Sequence, residues 1–517
     1  MIDRVLSILF FISFFNCSFA NNLFDIANVR QLGLITVDIT TVNGEIPTCD
    51  YASAPEGSMG ETCINQTKVH CRIVIYDHDN VLYDSGEYEK GVSGATIKIN
   101  GNTSSFYNNK PYKLKLQKKA DLLQRGNQKY ADKNWRLIKD ILSLNTIIGL
   151  KVNELLELPW TPAYKPCNVF LNNEYQGCYL LIESVKRNSD CRLNVDKETG
   201  YIVERDAYWW KEDKYFETDF FSQQKAYRWT WKYPDEEDVT AEQEQYIRDY
   251  INKTEESIVN GTYDQYIDVL SFAKWLLAHD ILGTWDSGGS NLYIMKYDNT
   301  DNTLLQMANL WDFDTCFRMA ENEFSRYHQG SYDYYFPSLF ESTNHTFSNT
   351  YRQLWNEKKD LLQNNLLAYI ENYINSDEAQ AIQRSRELHA QRWHFDIDSV
   401  QEDGLFIKNW LTHHFEFLDQ MINTQTAIHI ISTNDSTNKD VYNLFGIKTK
   451  TPINKGIYIS NGKKYFIYPF GHHHLLNSNI RSIGFTASLA ISGSTSICGH
   501  SYLSVLYTFN SVFNFIY

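Results

Sequence analysis

At 517 residues, 43% hydrophobic and 15% aromatic, the chain carries enough apolar material for two or three domains with a large core. A net charge of -15, with no basic stripe interleaved with aromatics, argues against a nucleic-acid partner. No stretch beyond the N-terminus approaches the length of a bilayer-spanning helix.

Residues 1–20 combine Arg4, the apolar run Val5 to Phe15 and the small-residue end Ser18-Phe19-Ala20, the pattern of a secretory signal peptide despite the acidic Asp3. Cysteine use agrees with export: nine are present, and removing Cys17 with the signal leaves eight, an even set that reads as disulfides in an oxidising compartment. Cys167 and Cys178 stand at opposite ends of one predicted hairpin and are expected to face each other. Sequons at Asn65, Asn102, Asn252, Asn260, Asn344 and Asn434 point to a glycoprotein of the eukaryotic secretory pathway.

Residues 21–90 alternate like strands and are read as a small β-rich segment leading into a core domain over 91–430. Within 96–117, two strands flank a Gly/Asn/Ser turn. In the second, Lys113 and Lys115 alternate with Leu114 and Leu116, which puts both lysines on one face. Such a lysine can hold phosphates and pair with a glutamate, for which Glu183 is the candidate; a solvated strand face explains either lysine equally well. Helical periodicity over 239–259 and 351–393 gives a mixed α+β body.

Tyr266 to Leu282 has the apolar spacing of a buried helix, and Asp286 lies just past its end. Leu292 to Ile294 and Leu304 to Trp311 read as strands of a hairpin that would bring Asn291 and Asp312 to the same end. Asp286, Asn291 and the Asp312-Phe313-Asp314 element follow the order of a kinase's hydroxyl-orienting Asp, metal-binding Asn and Mg²⁺-binding Asp. Asp and Asn are also ordinary turn residues, so spacing alone leaves a surface loop open. His279 and His413-His414 read as packing residues, and Ser184 and Ser287 have no triad partners.

After Asp440 no acidic residue occurs. The stretch 431–517 is therefore set apart as an appended β-rich segment, a lipid-anchor signal around Ser492, Gly493 and Ser494, or an aberrant gene end.

The motifs NKPYKLKL, NW before an apolar helix, LPWTPAY, VFLNNEYQGCYLLIE, TGYIVERD, WD with the later Asn, and WDFD together resemble the CotH kinase family, secreted atypical kinases related to spore coat protein H and to fungal surface proteins of that name. The resemblance spans roughly residues 30–430 and implies an atypical protein-kinase-like fold with a largely helical C-terminal lobe, using ATP and Mg²⁺ or Mn²⁺. Carried over, it makes Asp286 catalytic, assigns Asn291, Asp312 and Asp314 to metal, and gives Lys113 or Lys115 with Glu183 to the phosphates. Asn100-Gly101-Asn102 stands where members often carry Arg-Gly-Asn, and an Arg of the helix after NW is replaced near Gly149 to Lys151. The expected function is transfer of the ATP γ-phosphate to Ser/Thr hydroxyls of secreted or cell-surface proteins. The alternative is an invasin-like surface-binding protein that keeps the fold without turnover.

Overall fold

The computed structural model describes residues 23–219, 226–284, 291–317, 327–328 and 335–432, with five short strands between 441 and 475. The signal segment, Asp286, Ser287, Asn434, Ser492 to Ser494 and Cys498 lie outside the described residues. The chain forms two compact units, Met1–Ala427 and Ile428–Tyr517.

The first unit enters through a one-turn helix, α1 (Ile26–Val29), capped by Asp25, and then builds a β-barrel. Its strands are β1 (Ile35–Thr41), the hairpin β2 (Asp50–Ser53) and β3 (Glu61–Ile64) set apart from the main sheet, then β4 (Val69–Asp77), β5 (Asn80–Asp84), β6 (Ala95–Ile99), β7 (Tyr112–Ala120), β8 (Asp132–Ile138), β9 (Tyr164–Leu171) and β10 (Glu174–Glu183). The order β1-β9-β10-β8-β7-β6-β4 closes because β4 also pairs with β1. Alternation fills the interior: Cys71, Ile73 and Ile75 of β4, Leu114 and Leu116 of β7, Trp135 and Leu137 of β8, and Tyr179 and Leu181 of β10 share one buried cluster. Residues 21–90 are therefore not a separate layer, since β1 and β4 are staves of the same barrel as β6 to β10.

Strand parity also corrects the expected cysteine pairing. Tyr179 is registered with Cys167 and Cys178 with Asn168, so the two cysteines are one step out of phase and point to opposite faces of the sheet. Among the described residues every cysteine is a thiol.

Helix α2 (Asn145–Leu155) runs between β8 and β9, against the outer barrel face where Ile138, Leu180 and Ile182 join the large helical core. A second sheet follows, ordered β12-β13-β11-β14-β15, from β11 (Tyr201–Asp206), β12 (Tyr215–Phe216), β13 (Arg228–Tyr233), β14 (Leu292–Lys296) and β15 (Gln306–Met307). The helices are α3 (Ala241–Asn260), α4 (Val269–Leu282), α5 (Phe336–Glu341), α6 (Thr346–Ile374), α7 (Asp377–Trp393) and α8 (Val400–Ser432). Helix α3 starts on a capping box between Thr240 and Gln243. Helix α4 is apolar almost all round, as a core helix should be, and stops at Gly283, whose φ of 61° is the left-handed cap that lets the chain turn away.

The body is thus a mixed α and β structure, β-rich at its N-terminal side and helical at its C-terminal side. No described helix is long and apolar enough to cross a membrane. In the second unit the described strands β16 (Val441–Asn443), β17 (Lys448–Thr449), β18 (Gly456–Ser460), β19 (Lys463–Ile467) and β20 (His473–Leu475) form one antiparallel sheet.

Candidate active site

The hairpin expected between Asn291 and Asp312 forms, although its second strand is only two residues long. Ile294 pairs with Met307, and the Ala308 amide donates to Tyr293 O at 2.9 Å, bringing the two ends of the hairpin together. There the Asn291 amide Nδ2 lies 3.2 Å from Asp312 Oδ2. Both residues have left-handed backbones, φ 62° and 65°, which Asn and Asp adopt more readily than other non-glycine residues and which turn the chain sharply at each end of the hairpin. Asp312 and Asp314 are exposed, while Phe313 between them is buried.

Helix α2 fixes this element from behind. Asn145 Nδ2 donates to Phe313 O and Cys316 O, each at 3.1 Å, and Asn153 Oδ1 accepts from the Leu310 amide at 2.9 Å. Gly149 on the same helix leaves room for the phenyl ring: an added Cβ would stand 2.1 Å from Phe313 Cδ1. Gly149, in the stretch to Lys151 where a basic residue was expected, thus has a packing role.

The cationic half of the site lies on the outer face of the barrel. Lys113 is registered between Lys98 on β6 and Arg136 on β8, so three cations stand in a row across neighbouring strands. Burial, then the like charges of Lys186, Arg136, Lys98 and Lys232, hold the Lys113 ammonium well below its ordinary pKa. Among the described residues no carboxylate forms an ion pair with it. The Arg136 guanidinium stacks over the Trp311 ring at 5.2 Å, one residue from Asp312, which joins the cationic row to the carboxylates. The Arg136 Nε is buried without a hydrogen-bond partner.

The family description "CotH kinase protein" matches residues 97–417, the stretch holding every one of these groups. The chain belongs to the CotH kinase family. No curated protein matches it.

Two acidic residues of this CotH chain escaped the sequence reading, although TGYIVERD contained them. Glu204 and Asp206 lie two apart on β11, on one sheet face. Glu204 Oε1 accepts the Asn291 backbone amide at 3.2 Å, Oε2 meets Lys232 Nζ at 2.5 Å, and the Tyr293 hydroxyl bonds the same carboxylate. Lys232 is the extra residue of a bulge in β13. Burial and the neighbouring Glu204 charge push the Asp206 carboxyl up to about 6. The signal for both was a run of three charges, Glu204-Arg205-Asp206, closing a strand that begins with the apolar Tyr201-Ile202-Val203, with strand periodicity putting the two carboxylates on one face and Arg205 on the other. Lys98, Arg136 and Lys232 were also missed, because only the strand register places them around Lys113.

Glu183 does not pair with Lys113 or Lys115. It is registered with Trp135 and hence points into the barrel mouth, whereas Lys113 and Arg136 point out. There it meets Arg125 at 2.9 Å and Arg192 at 3.7 Å, and accepts the Ala163 amide at 3.0 Å. Lys115 shares the outer face with Lys113 but is exposed. Asp286, three positions beyond the Gly283 cap, lies outside the described residues.

Beneath that cap, buried Asp280 accepts the His328 amide at 2.7 Å, His328 Nδ1 at 2.8 Å and the Tyr351 hydroxyl at 2.7 Å. His414 Nε2 bonds the Asp280 carbonyl at 2.6 Å, and His279 Nδ1 bonds Thr284 Oγ1 at 2.7 Å. Burial lowers the His279 imidazole to about 3, consistent with a neutral packing residue.

The donor set suits a nucleotide with a hard cation. The carboxylate oxygens of exposed Asp312 and Asp314 and the carboxamide oxygen of half-buried Asn291 are the ligand type that Mg²⁺ accepts, usually one or two per ion with waters and phosphates completing the shell. The row of Lys98, Lys113 and Arg136, with the Arg136 Nε unpartnered, is a surface that an anion suits, while the neighbouring Lys186 and Lys232 are already paired with Asp235 and Glu204. The described residues hold no group of three or more His, Cys, Asp or Glu able to bind a metal by itself.

Proposed function

We propose that this protein is a secreted, metal-dependent kinase with an atypical protein-kinase-like fold, moving the γ-phosphate of ATP to Ser or Thr hydroxyls of secreted or cell-surface proteins. The observation that carries this reading is the link from a like-charged lysine cluster, through Arg136 on Trp311, to the Asn291–Asp312 pair. ATP with Mg²⁺ or Mn²⁺ would supply the transferable group and the charge neutralisation that phosphoryl transfer requires.

The chain's own residues have separable tasks in this proposal. Lys113, Lys98 and Arg136 bind the phosphate negative charge. Asn291, Asp312 and Asp314 hold the cation. Glu204, itself fixed by Lys232, holds the Asn291 backbone in place. Asp286 receives the proton of the attacking hydroxyl. Export rests on the signal-like residues 1–20 and the sequons.

The test is incubation of the purified chain with labelled ATP and Mn²⁺ or Mg²⁺, beside Asp312→Ala. Label on the chain or on a generic acceptor that requires intact Asp312 supports the kinase. No label, together with no nucleotide-dependent rise in melting temperature, overturns it and favours a surface-binding member of the family.

A further inference from the structure

The turn joining β6 to β7, Gly101 to Phe106, is held from outside by the β2–β3 hairpin. Thr62 Oγ1 donates to Asn102 Oδ1 at 2.7 Å, the Tyr51 hydroxyl donates to Ser105 O at 2.6 Å, and the Tyr51 and Phe106 rings lie 4.8 Å apart. Lys110 Nζ donates to the same Ser105 carbonyl at 2.6 Å. A two-stranded hairpin of four-residue strands is marginal by itself, so a clamp built on one needs a staple.

The hairpin carries a cysteine pair at its open end. Tyr51 is registered with Cys63, and Asp50 with Ile64. The next backbone contact is the Thr67 amide to Thr48 O at 2.9 Å, so Cys49 alone faces the two residues Asn65 and Gln66. Asn65 makes this possible with a φ of 50°. The irregularity draws Cys49 toward Cys63, near enough for each thiol to feel the other's charge, and Cys49 packs against the same barrel-end apolar cluster that holds Cys63, whose Sγ accepts from Gln66 Nε2 at 2.9 Å. Cys63 is buried and Cys49 half-buried, so an oxidant reaches the pair through Cys49.

We propose that Cys49 and Cys63 form a disulfide that staples the β2–β3 hairpin and thereby fixes the Gly101 to Phe106 turn beside Lys98 and Lys113. The oxidant is a disulfide such as oxidised glutathione. One cysteine attacks it to give a mixed disulfide and releases one reduced thiol. The second cysteine then displaces the other, so two protein thiols lose their hydrogens, one S–S bond forms and the oxidant leaves as two thiols. The proposal is independent of phosphotransfer.

The full chain, equilibrated in oxidised and reduced glutathione, is alkylated without reduction, deglycosylated and digested with trypsin. Gln31 to Lys68 contains no internal Lys or Arg and holds both cysteines, so an internal bridge gives one unalkylated peptide two hydrogens lighter than its thiol form. Cleavage after Glu56 or Glu61 must leave the halves joined. Alkylation of both cysteines, or a bridge from either to another cysteine, overturns the pairing. Hydrogen exchange is then compared between the oxidised chain and Cys49→Ser. Closing so short a loop predicts exchange in residues 100–106 faster by roughly tenfold or more in the variant. Equal exchange overturns the role assigned to the staple.

Discussion

Gly149→Ala tests how the candidate metal element is positioned. Alanine is the better helix former by about 1 kcal/mol, so the substitution in mid-helix would stabilise α2 if nothing opposed it. Phe313 opposes it: the new Cβ would lie 2.1, 2.4 and 2.7 Å from three carbons of the ring. Carbon atoms in contact sit ~3.5–4.0 Å apart, so the phenyl must retreat by about 1.5 Å. Its backbone is tied to Asn145 through Phe313 O and Cys316 O, so retreat strains those bonds and shifts Asp312 and Asp314 on either side. Overpacking costs ~1–3 kcal/mol, and three ring atoms in conflict argue for the upper end. Set against the helix gain, the net loss is about 2 kcal/mol. The assay is thermal denaturation of Gly149→Ala, Phe313→Leu and the double variant, each with and without ATP and Mn²⁺. The expected result is a lower melting temperature and a reduced nucleotide-dependent shift for Gly149→Ala, partly restored by Phe313→Leu. A Gly149→Ala chain more stable than the parent, with its nucleotide response intact, would refute the packing argument.

Lys113→Met should raise stability at neutral pH and abolish the nucleotide-dependent shift. A lysine held below its usual pKa destabilises the fold while charged, and that cost fades as pH rises from the folded toward the unfolded value. An unchanged nucleotide shift would remove Lys113 from the phosphate site. Asp206→Asn should stabilise by ~3 kcal/mol at pH 7 and by little below pH ~4, because a carboxyl with a folded pKa of about 6 keeps its proton after the unfolded one has lost it, so stability falls as pH climbs between the two. Urea midpoints for parent and variant that run parallel from pH 4.5 to 7 would contradict this. Glu183→Gln should cost ~3 kcal/mol by leaving Arg125 and Arg192 under-compensated, yet keep the nucleotide shift below its lowered melting point. Loss of that shift in a folded variant would restore Glu183 to the phosphate site.

The sequence by itself determined the local structure and half of the site. Alternation over Tyr112 to Leu116 put Lys113 and Lys115 outside and the leucines inside, the apolar spacing before Leu282 made α4, and the residues around Asn291 and Asp312 closed as a hairpin. These signals are legible because each depends on a repeat of two or 3.6 residues within one element. Which strands lie side by side, and in what register, was left to the tertiary structure. That register turned Glu183 into the barrel mouth, set Cys167 and Cys178 on opposite faces, and gathered Lys98 and Arg136 around Lys113. Closure of β4 on β1 likewise merged the N-terminal strands into the barrel. A shift of one residue in register reverses every side chain of a strand, and the packing of the whole core fixes that shift.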